Sequence, residues 1–156
     1  IKAKLEFFIN NKGTHSVDYF HKKLGLVMWN KVGMARNEKH LKEAIKEIQD
    51  IREDFWKNVK VPGSLNEMNV ELEKAGRVAD FLELGELFAK DALERNESCG
   101  GHFREEYVTE DGEALRDDKK FAYVAAWEYT GKPSEAKLHK EELEFKDIEL
   151  KTRSYK

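Results

Sequence analysis

The sequence has little cysteine, little proline and no long apolar run, and each shortage excludes a class of protein. Cys99 is the only cysteine among 156 residues, which excludes a disulfide framework and a cysteine-based zinc site and fits a reducing compartment. No apolar stretch approaches the ~20 residues of a transmembrane helix. The 28 Lys and Arg residues against 31 Asp and Glu give a net charge of −3, so no basic excess indicates a nucleic-acid-binding surface.

The sequence also lacks the short motifs that anchor common cofactors. G-x-G-x-x-G, the Walker A loop, H-E-x-x-H and G-x-S-x-G are all absent. The five histidines are scattered, and no Glu-x-x-His pair is available for a di-iron site inside a helical bundle. We therefore expect no cofactor site, no metal site and no catalytic residue in this chain. A stand-alone enzyme would need a cofactor motif that is missing here.

Good helix formers dominate what is present, and prolines and glycines interrupt them only at intervals. Residues 2–11 predict a short helix that ends before Gly13. Ser16 and Asn37 predict the N-caps of two longer helices, the second of which runs to about Trp56. Apolar residues three and four apart predict the buried faces of these two helices. They are Val17, Phe20, Leu24, Val27 and Met28 in the first, and Leu41, Ala44, Ile45, Ile48, Ile51 and Phe55 in the second.

A longer helix is predicted to follow. Ser64 and Glu67 match the capping-box pattern at its start, and Gly100-Gly101 would end it. One apolar stripe comprises Leu65, Met68, Leu72, Ala75, Ala79 and Leu82. A second stripe comprises Val78, Phe81, Gly85, Phe88 and Ala92, so we expect the second half of the helix to be buried over a wide arc.

The last third of the chain changes character. Residues 121–129 are rich in aromatic residues and predict a strand, residues 131–134 a turn, and residues 143–150 the partner strand. The predicted fold is therefore mainly α: an antiparallel three-helix, spectrin-repeat-like bundle with a short leading helix and a small C-terminal β-hairpin. We expect residues 1–101 to form the bundle. Residues 102–156 would be a loop, the hairpin and a C-terminal tail packed on it within one structural domain.

The segment after the long helix combines a glycine pair, a histidine, an arginine and acidic residues. Residues 97–107 read E-S-C-G-G-H-F-R-E-E-Y, and Arg116-Asp117-Asp118 follow. Two interpretations stay open from the residues alone. One is a helix C-cap followed by a solvated, salt-bridged loop, and the other is a buried ion network that another backbone approaches closely.

These residues also carry a resemblance. Residues 97–107, Arg116-Asp117-Asp118, the aromatic strand F-A-Y-V-A-A-W-E-Y and the terminal R-S-Y resemble the C-terminal portion of the flavoprotein subunit of succinate dehydrogenase and fumarate reductase. Cys99 stands where many members of that family have arginine, and Gly101 where many have alanine. With its S-C-G-G-H form, the sequence looks like the branch that couples succinate and fumarate to menaquinone.

The resemblance implies a parent flavoprotein that interconverts succinate and fumarate with FAD, in an electron-transport complex or the tricarboxylic acid cycle. The family's covalent-flavin histidine and its substrate-binding residues belong to parts that precede this portion, so no catalytic residue carries over. The implied partners are the FAD-binding domain of the same parent chain and the iron–sulfur subunit. The implied location is cytoplasmic, with the parent held at the cytoplasmic face of the inner membrane through its complex.

We expect a structural, docking role for this chain. The candidate interface residues are His102, Arg104, Glu105, Arg116, Asp117 and Asp118. We expect them to be exposed in this chain and buried only against the parent's other parts. The opening Ile1-Lys2, without an initiator Met, favours a fragment of a longer polypeptide. The alternative is a free-standing helical protein-interaction module, which would have a start codon directly before Ile1.

Overall fold

Helices make up most of the regular structure in the computed structural model, which describes residues 1–151. The helices are α1 (Lys2–Asn10), α2 (Val17–Lys31), α3 (Glu38–Asn58), α4 (Val70–Glu94) and the single-turn α5 (Asp118–Phe121). The strands are β1 (His15–Ser16), β2 (Ala35–Arg36), β3 (Val59–Lys60), β4 (Phe103–Arg104), β5 (Tyr123–Glu128) and β6 (Lys137–Glu142). Helices α2–α4 pack in a bundle behind the short α1, and β5–β6 form a C-terminal antiparallel hairpin, which confirms the predicted fold class.

Two of the predicted helix starts are confirmed by their capping geometry. The Ser16 hydroxyl accepts a hydrogen bond from the Tyr19 N–H at 3.3 Å at the start of α2. The Asn37 Oδ1 accepts from the His40 N–H at 2.8 Å at the start of α3. Each side chain satisfies one of the amide groups that the first helical turn leaves unpaired.

The predicted start of the longest helix is wrong. The cap of α4 is Asn69, whose Oδ1 accepts from the Leu72 N–H at 3.0 Å. Ser64 and Glu67 do interact, with the Ser64 N–H donating to Glu67 Oε1 at 3.2 Å, but they close a turn that precedes the helix. The Asn69 side chain makes a second hydrogen bond, because its amide donates to the Pro62 carbonyl at 2.8 Å and holds that turn against the helix start. Asn69 rather than Ser64 is therefore the N-cap.

Three phenylalanines from three different helices form the centre of the core. Phe8, Phe20 and Phe55 are fully buried, and the ring of Phe55 lies edge-on to both others, with centroids 5.8 Å from Phe8 and 5.3 Å from Phe20. The predicted stripes of α2 and α3 are buried around them, with Met28 and Ile45 at the margin.

The stripes of α4 are only partly confirmed. Val78, Gly85 and Ala92 are buried, as expected. Phe81 and Phe88 belong to the same predicted stripe but lie largely exposed, and so do Leu65 and Met68 in the preceding turn. The second half of α4 therefore presents an apolar face that residues 1–151 leave partly exposed.

Short parallel strand pairs connect the ends of the helices. β1 pairs with β3, and β2 pairs with β4, so that Arg36 lies in register with Arg104. The first pair needs a close approach at Gly13, where an added Cβ would lie 2.1 Å from the Asn58 carbonyl oxygen. The second pair brings residues 103–104 against the start of α3 and places the segment after α4 on the bundle.

The hairpin uses a different partner strand from the predicted one. β5 pairs with β6 from Tyr123 opposite Glu142 to Glu128 opposite Lys137, whereas residues 143–150 lie beyond the strand and are exposed. The connection between the two strands contains a 3₁₀ turn, Pro133–Glu135, that packs on α4. Lys90 of α4 donates to the carbonyls of Pro133, Ser134 and Ala136 there. The terminal Arg153-Ser154-Tyr155 lie outside the described residues.

We expect Phe55→Ala to lower the free energy of unfolding by about 3–5 kcal/mol, because it removes a fully buried ring from the core. Phe88→Ala is the matched control: its ring is 53% exposed, so the expected loss is about 1 kcal/mol or less. Urea unfolding followed by circular dichroism measures both. Equal losses in the two variants would contradict the assignment of Phe88 to an uncovered surface.

Candidate docking site at the end of the bundle

Arg104 lies inside the molecule, beneath the C-terminal end of α4. Its side chain is only 1% exposed, so the expectation that it is exposed in this chain is wrong. The guanidinium Nη1 donates to the Ala92 carbonyl at 3.0 Å and makes longer contacts, of 3.4 Å, to the carbonyls of Leu93 and Arg95. These are carbonyls that the last turn of a helix leaves without partners, and a cation is favoured there by the helix dipole.

The backbone on either side of this arginine is held as firmly as its side chain. The Ser98 hydroxyl is fully buried, accepts from the Arg104 N–H at 2.8 Å and donates to the Arg104 carbonyl at 3.1 Å. The Cys99 and His102 backbones pair with each other across the Gly100-Gly101 turn, in which Gly100 has a φ of 58°. The glycine pair therefore closes a tight turn that returns the chain under the helix end.

Glu106 links this arginine to the start of α3. Its Oε2 accepts from Arg104 Nε at 3.1 Å, and its Oε1 accepts from the Glu38 N–H in the first turn of α3. Partial burial works against ionisation of this carboxyl group, but the hydrogen bonds from Glu38 N–H and Arg104 outweigh it and lower the pKa of Glu106. The Glu106 carboxylate thus accepts hydrogen bonds both from the N-terminus of α3 and from the arginine at the C-terminus of α4.

A second arginine repeats the arrangement at the end of α2. Arg36 Nε donates to the Gly33 carbonyl at 2.7 Å and to the Val32 carbonyl at 3.2 Å. Its Nη1 lies 2.7 Å from His102 Nδ1, and the His102 Nε2 lies 2.9 Å from the Arg95 carbonyl. Since a guanidinium only donates, Nδ1 accepts, and the proton of neutral His102 is on Nε2, which donates to the carbonyl.

The surroundings of His102 keep its ring neutral. Burial lowers the pKa of His102, the hydrogen bond to the Arg95 carbonyl opposes this, and the positive charges of Arg36, Arg104 and Arg95 lower the pKa further. Burial also lowers the pKa of Arg36, with Asp91 acting against that shift and Arg104 adding to it. His102 is thus a hydrogen-bonded link between α2 and the end of α4.

Arg95 and Glu97 connect the end of α4 to the hairpin. Arg95 donates to Glu97 Oε1 at 2.7 Å and to the carbonyls of Phe121 and Tyr123, and its guanidinium lies over both of those rings. Glu97 is almost completely buried, and its second oxygen accepts from the Asp117 N–H at 2.9 Å. This ion pair fixes where the chain enters α5 and β5.

The remaining candidates lie nearer the surface. Arg116 donates to Asp118 Oδ1 from Nε at 3.0 Å and from Nη2 at 2.6 Å, and Asp118 raises the pKa of Arg116. Asp117 pairs with Lys120 at 3.0 Å. Glu105 is exposed, and its Oε2 accepts from the Asn37 side chain at 2.7 Å.

The structure therefore places the six candidates in two groups of three. His102, Arg104 and Glu105 lie on β4 and its flanks against the start of α3, whereas Arg116, Asp117 and Asp118 lie on the hairpin side. Glu97 and Ser98 lie in the segment singled out from the sequence but were not among the candidates, and Arg36 and Arg95 were not proposed at all; these four residues hold the segment together. The arginines carry no motif, because their partners are main-chain carbonyls that every sequence supplies.

The buried polar side chains at this end of the bundle hydrogen-bond within the domain. Within residues 1–151, no group of three or more His, Cys, Asp and Glu side chains is arranged to hold a metal ion. Every buried side-chain nitrogen and oxygen of the described residues has a hydrogen-bond partner. Among the helices of that same range, none is both long and apolar enough to span a bilayer.

Comparisons with known proteins agree with the geometry. Residues 21–155 match the family described as fumarate reductase flavoprotein C-term. The chain belongs to that family. The chain is 34% identical over 125 residues to the fumarate reductase flavoprotein subunit of Helicobacter pylori, and the match covers 79% of this chain and 16% of that subunit.

Two further relatives extend the comparison. An uncharacterised FAD-dependent oxidoreductase of Methanocaldococcus jannaschii is 35% identical over 106 residues, which cover 67% of this chain and 19% of the relative. A solved quinol–fumarate reductase with menaquinol molecules shares the fold, with a TM-score of 0.79 and 21% identity over 95% of this chain and 25% of that one. The domain thus spans about a sixth to a quarter of the chains that it matches.

We expect Arg104→Ala to destabilise this domain by about 3–5 kcal/mol, because it leaves helix carbonyls and Glu106 without their buried cation. Arg77→Ala is the control, since Arg77 is an exposed arginine paired with Glu73 on α4, and it should leave the unfolding midpoint unchanged within error. Urea unfolding compares the two. A midpoint unaffected by Arg104→Ala would show that the arginine does not hold the helix end.

Acidification should destabilise the domain through His102. Its pKa is lowered in the folded state, whereas in the unfolded chain it is about 6.5. Below about pH 6.5 the unfolded chain therefore binds a proton that the folded domain does not, so the free energy of unfolding decreases as the pH is lowered. Above about pH 6.5, the contribution of His102 to the free energy of unfolding is fully present. Urea midpoints at pH 7.5 and 5.5 measure this dependence.

His102→Gln should remove part of that pH dependence, and His21→Gln, at an exposed position on α2, should retain it. The same slope in His102→Gln as in the unaltered domain would contradict the role of His102.

Proposed function

We propose that this chain is the C-terminal helical domain of a flavoprotein subunit whose parent interconverts succinate and fumarate with FAD. The observation that carries the proposal is the family match across residues 21–155, together with 34% identity to a fumarate reductase flavoprotein subunit. The domain's own role is structural. It packs on the FAD-binding domain of the parent and helps to seat the iron–sulfur subunit.

The absence of a catalytic residue in this part is a component of the proposal. The polar side chains at the end of the bundle hydrogen-bond to helix ends. Arg36 and Arg104 donate to main-chain carbonyls, and Glu106 accepts from a backbone N–H at the start of α3. Such groups are committed to the fold and offer no base, nucleophile or phosphate cradle to a substrate. The FAD and dicarboxylate sites are accordingly assigned to the part of the parent that precedes this domain.

The finer assignments rest on the resemblance. The S-C-G-G-H segment supports a menaquinone-linked complex, and a solved relative of the same fold is a quinol–fumarate reductase with menaquinol. We place the parent at the cytoplasmic face of the inner membrane through its complex. We also keep the division of the domain into residues 1–101 as bundle and 102–156 as loop, hairpin and tail.

The docking role is assigned to the exposed and half-buried members of the candidate set. Glu105, Arg116, Asp117 and Asp118 retain solvent access on the hairpin side and beside α3, so they can meet a partner surface. His102 and Arg104 act from beneath, by holding the backbone that presents Glu105. Exposed ion pairs contribute little by themselves, about 0–1 kcal/mol, but the same pairs count for more when a partner excludes water.

The proposal predicts a division of activity between two polypeptides. The complete polypeptide encoded by the open reading frame should purify with an FAD absorbance spectrum and interconvert succinate and fumarate, and menaquinol should donate electrons to its complex. The 156-residue chain, purified by itself, should be colourless and inactive, because the flavin site lies in the preceding part. Absorbance at 450 nm and a fumarate reduction assay measure both.

Two results would contradict it. Stoichiometric flavin on the 156-residue chain would place a cofactor site in this domain. A start codon directly before Ile1 would instead support the free-standing interaction module.

A further inference from the structure

One face of α4 carries three large apolar side chains that residues 1–151 leave about half exposed, although the Arg36 guanidinium lies over the Phe88 ring at 5.1 Å. Phe81, Leu84 and Phe88 are spaced three and four residues apart, so they lie in a row along the helix. Their exposed fractions are 42%, 60% and 53%. We call this row the α4 apolar face. Contiguous apolar surface of this kind on a folded domain is typical of an interface.

The α4 apolar face borders two hollows. One, of about 300 Å³, lies between α4 and α2 and is lined on the α2 side by His21, Gly25 and Met28. Apart from its own helix backbone, no atom lies within 4 Å of where a Cβ of Gly25 would be, so the glycine leaves free space on the α2 side of this hollow. The other, of about 330 Å³, lies between α4 and the hairpin. Leu84 lines both, and the face is therefore a ridge between two sockets that a complementary surface could fill.

The beginning of the chain lies beside this face. Helix α1 packs on α4, and Lys4 Nζ reaches Asp80 Oδ1 at 3.2 Å, one residue before Phe81. Ile1 is fully exposed, so nothing within the domain blocks a continuation of the chain at that point. A polypeptide that precedes Ile1 would therefore enter next to the α4 apolar face.

The relatives supply the length of such a polypeptide. The match covers 16% of the Helicobacter pylori subunit and 25% of the solved quinol–fumarate reductase chain, and the matching family describes a C-terminal part. Most of each relative therefore lies upstream of the matched part. An upstream domain joined at Ile1 has both the position and the size to cover the face.

We propose that, in the complete polypeptide, the α4 apolar face is the surface on which the preceding domain of the same chain packs. This inference rests on the proposed function, since it requires a longer parent. The partner surface should be apolar, with side chains that enter the two hollows on either side of Leu84. The loop at residues 96–118 is then left for contacts with other subunits, because its buried members already hold the bundle together.

Thiol labelling tests the proposal in the protein as it is encoded. Cys99→Ser removes the thiol of the 156-residue chain, and Leu84→Cys is then placed in both this chain and the complete polypeptide, where mass spectrometry reads the labelled peptide itself. Leu26→Cys is the matched control, because Leu26 is 62% exposed but lies on the α2 surface that faces α3. Reaction with a maleimide, followed by mass spectrometry, gives the labelling rate at each position.

We expect labelling of Leu84→Cys to be at least tenfold slower in the complete polypeptide than in the short chain, and labelling of Leu26→Cys to be the same in both. Equal rates at position 84, or equal protection at both positions, would overturn the proposal. Protection of position 84 that appears in the short chain as its concentration rises would identify a second copy as the occupant and would also overturn it. Failure of the proposed function gives a different result. In that case the open reading frame would begin directly before Ile1, and a complete polypeptide longer than 156 residues would not exist.

Discussion

The fold depends on a pair of buried arginines, each of which completes the C-terminal end of a helix. Arg36 serves the carbonyls that follow α2, and Arg104 serves those at the end of α4. The two lie in register on paired strands, so one short parallel β-pair places both cations. Like charges so close need compensation, which the helix dipoles, the helix-end carbonyls, Glu106 and the nearby Asp91 provide. Because burial of a charge is costly without such partners, each helix end and its arginine depend on each other.

This arrangement changes how the segment after α4 is understood. A glycine pair, a histidine and an arginine with acids look like recognition chemistry, yet the arginine is used internally. Ser98 holds the backbone of Arg104 from both sides, and Glu106 carries the connection on to the start of α3. Arg95 and Glu97 extend it to the hairpin. The segment is thus a connector that fixes the relative positions of four elements, and only its outer carboxylates and Arg116 remain available to a partner.

Features that depend on residues close together in the sequence could be predicted, whereas features that depend on contacts between distant parts of the chain could not. The caps at Ser16 and Asn37 and the stripes of α2 and α3 are local patterns, and they are confirmed. The capping box at Ser64 failed because the same Ser–Glu pair also closes a turn, and Asn69, with two hydrogen-bonding ends, competed for the helix start. The partner strand was misplaced because β6 is mostly charged and exposed, so alternation of apolar residues gave no signal there. The burial of Arg104 could not be predicted, because its partners are main-chain carbonyls.

The exposed phenylalanines of α4 are the most informative error. Their helical spacing with Val78, Gly85 and Ala92 predicts burial, and the pattern is correct about the chemistry: these positions are apolar. Apolar periodicity predicts that a helix face is buried, but it does not indicate which polypeptide buries it. Residues buried within the domain, such as Val78, and residues left half exposed, such as Phe88, therefore carry the same sequence signal. The difference between the predicted and the observed burial lies along one side of the longest helix, on the surface where we propose that the preceding domain packs.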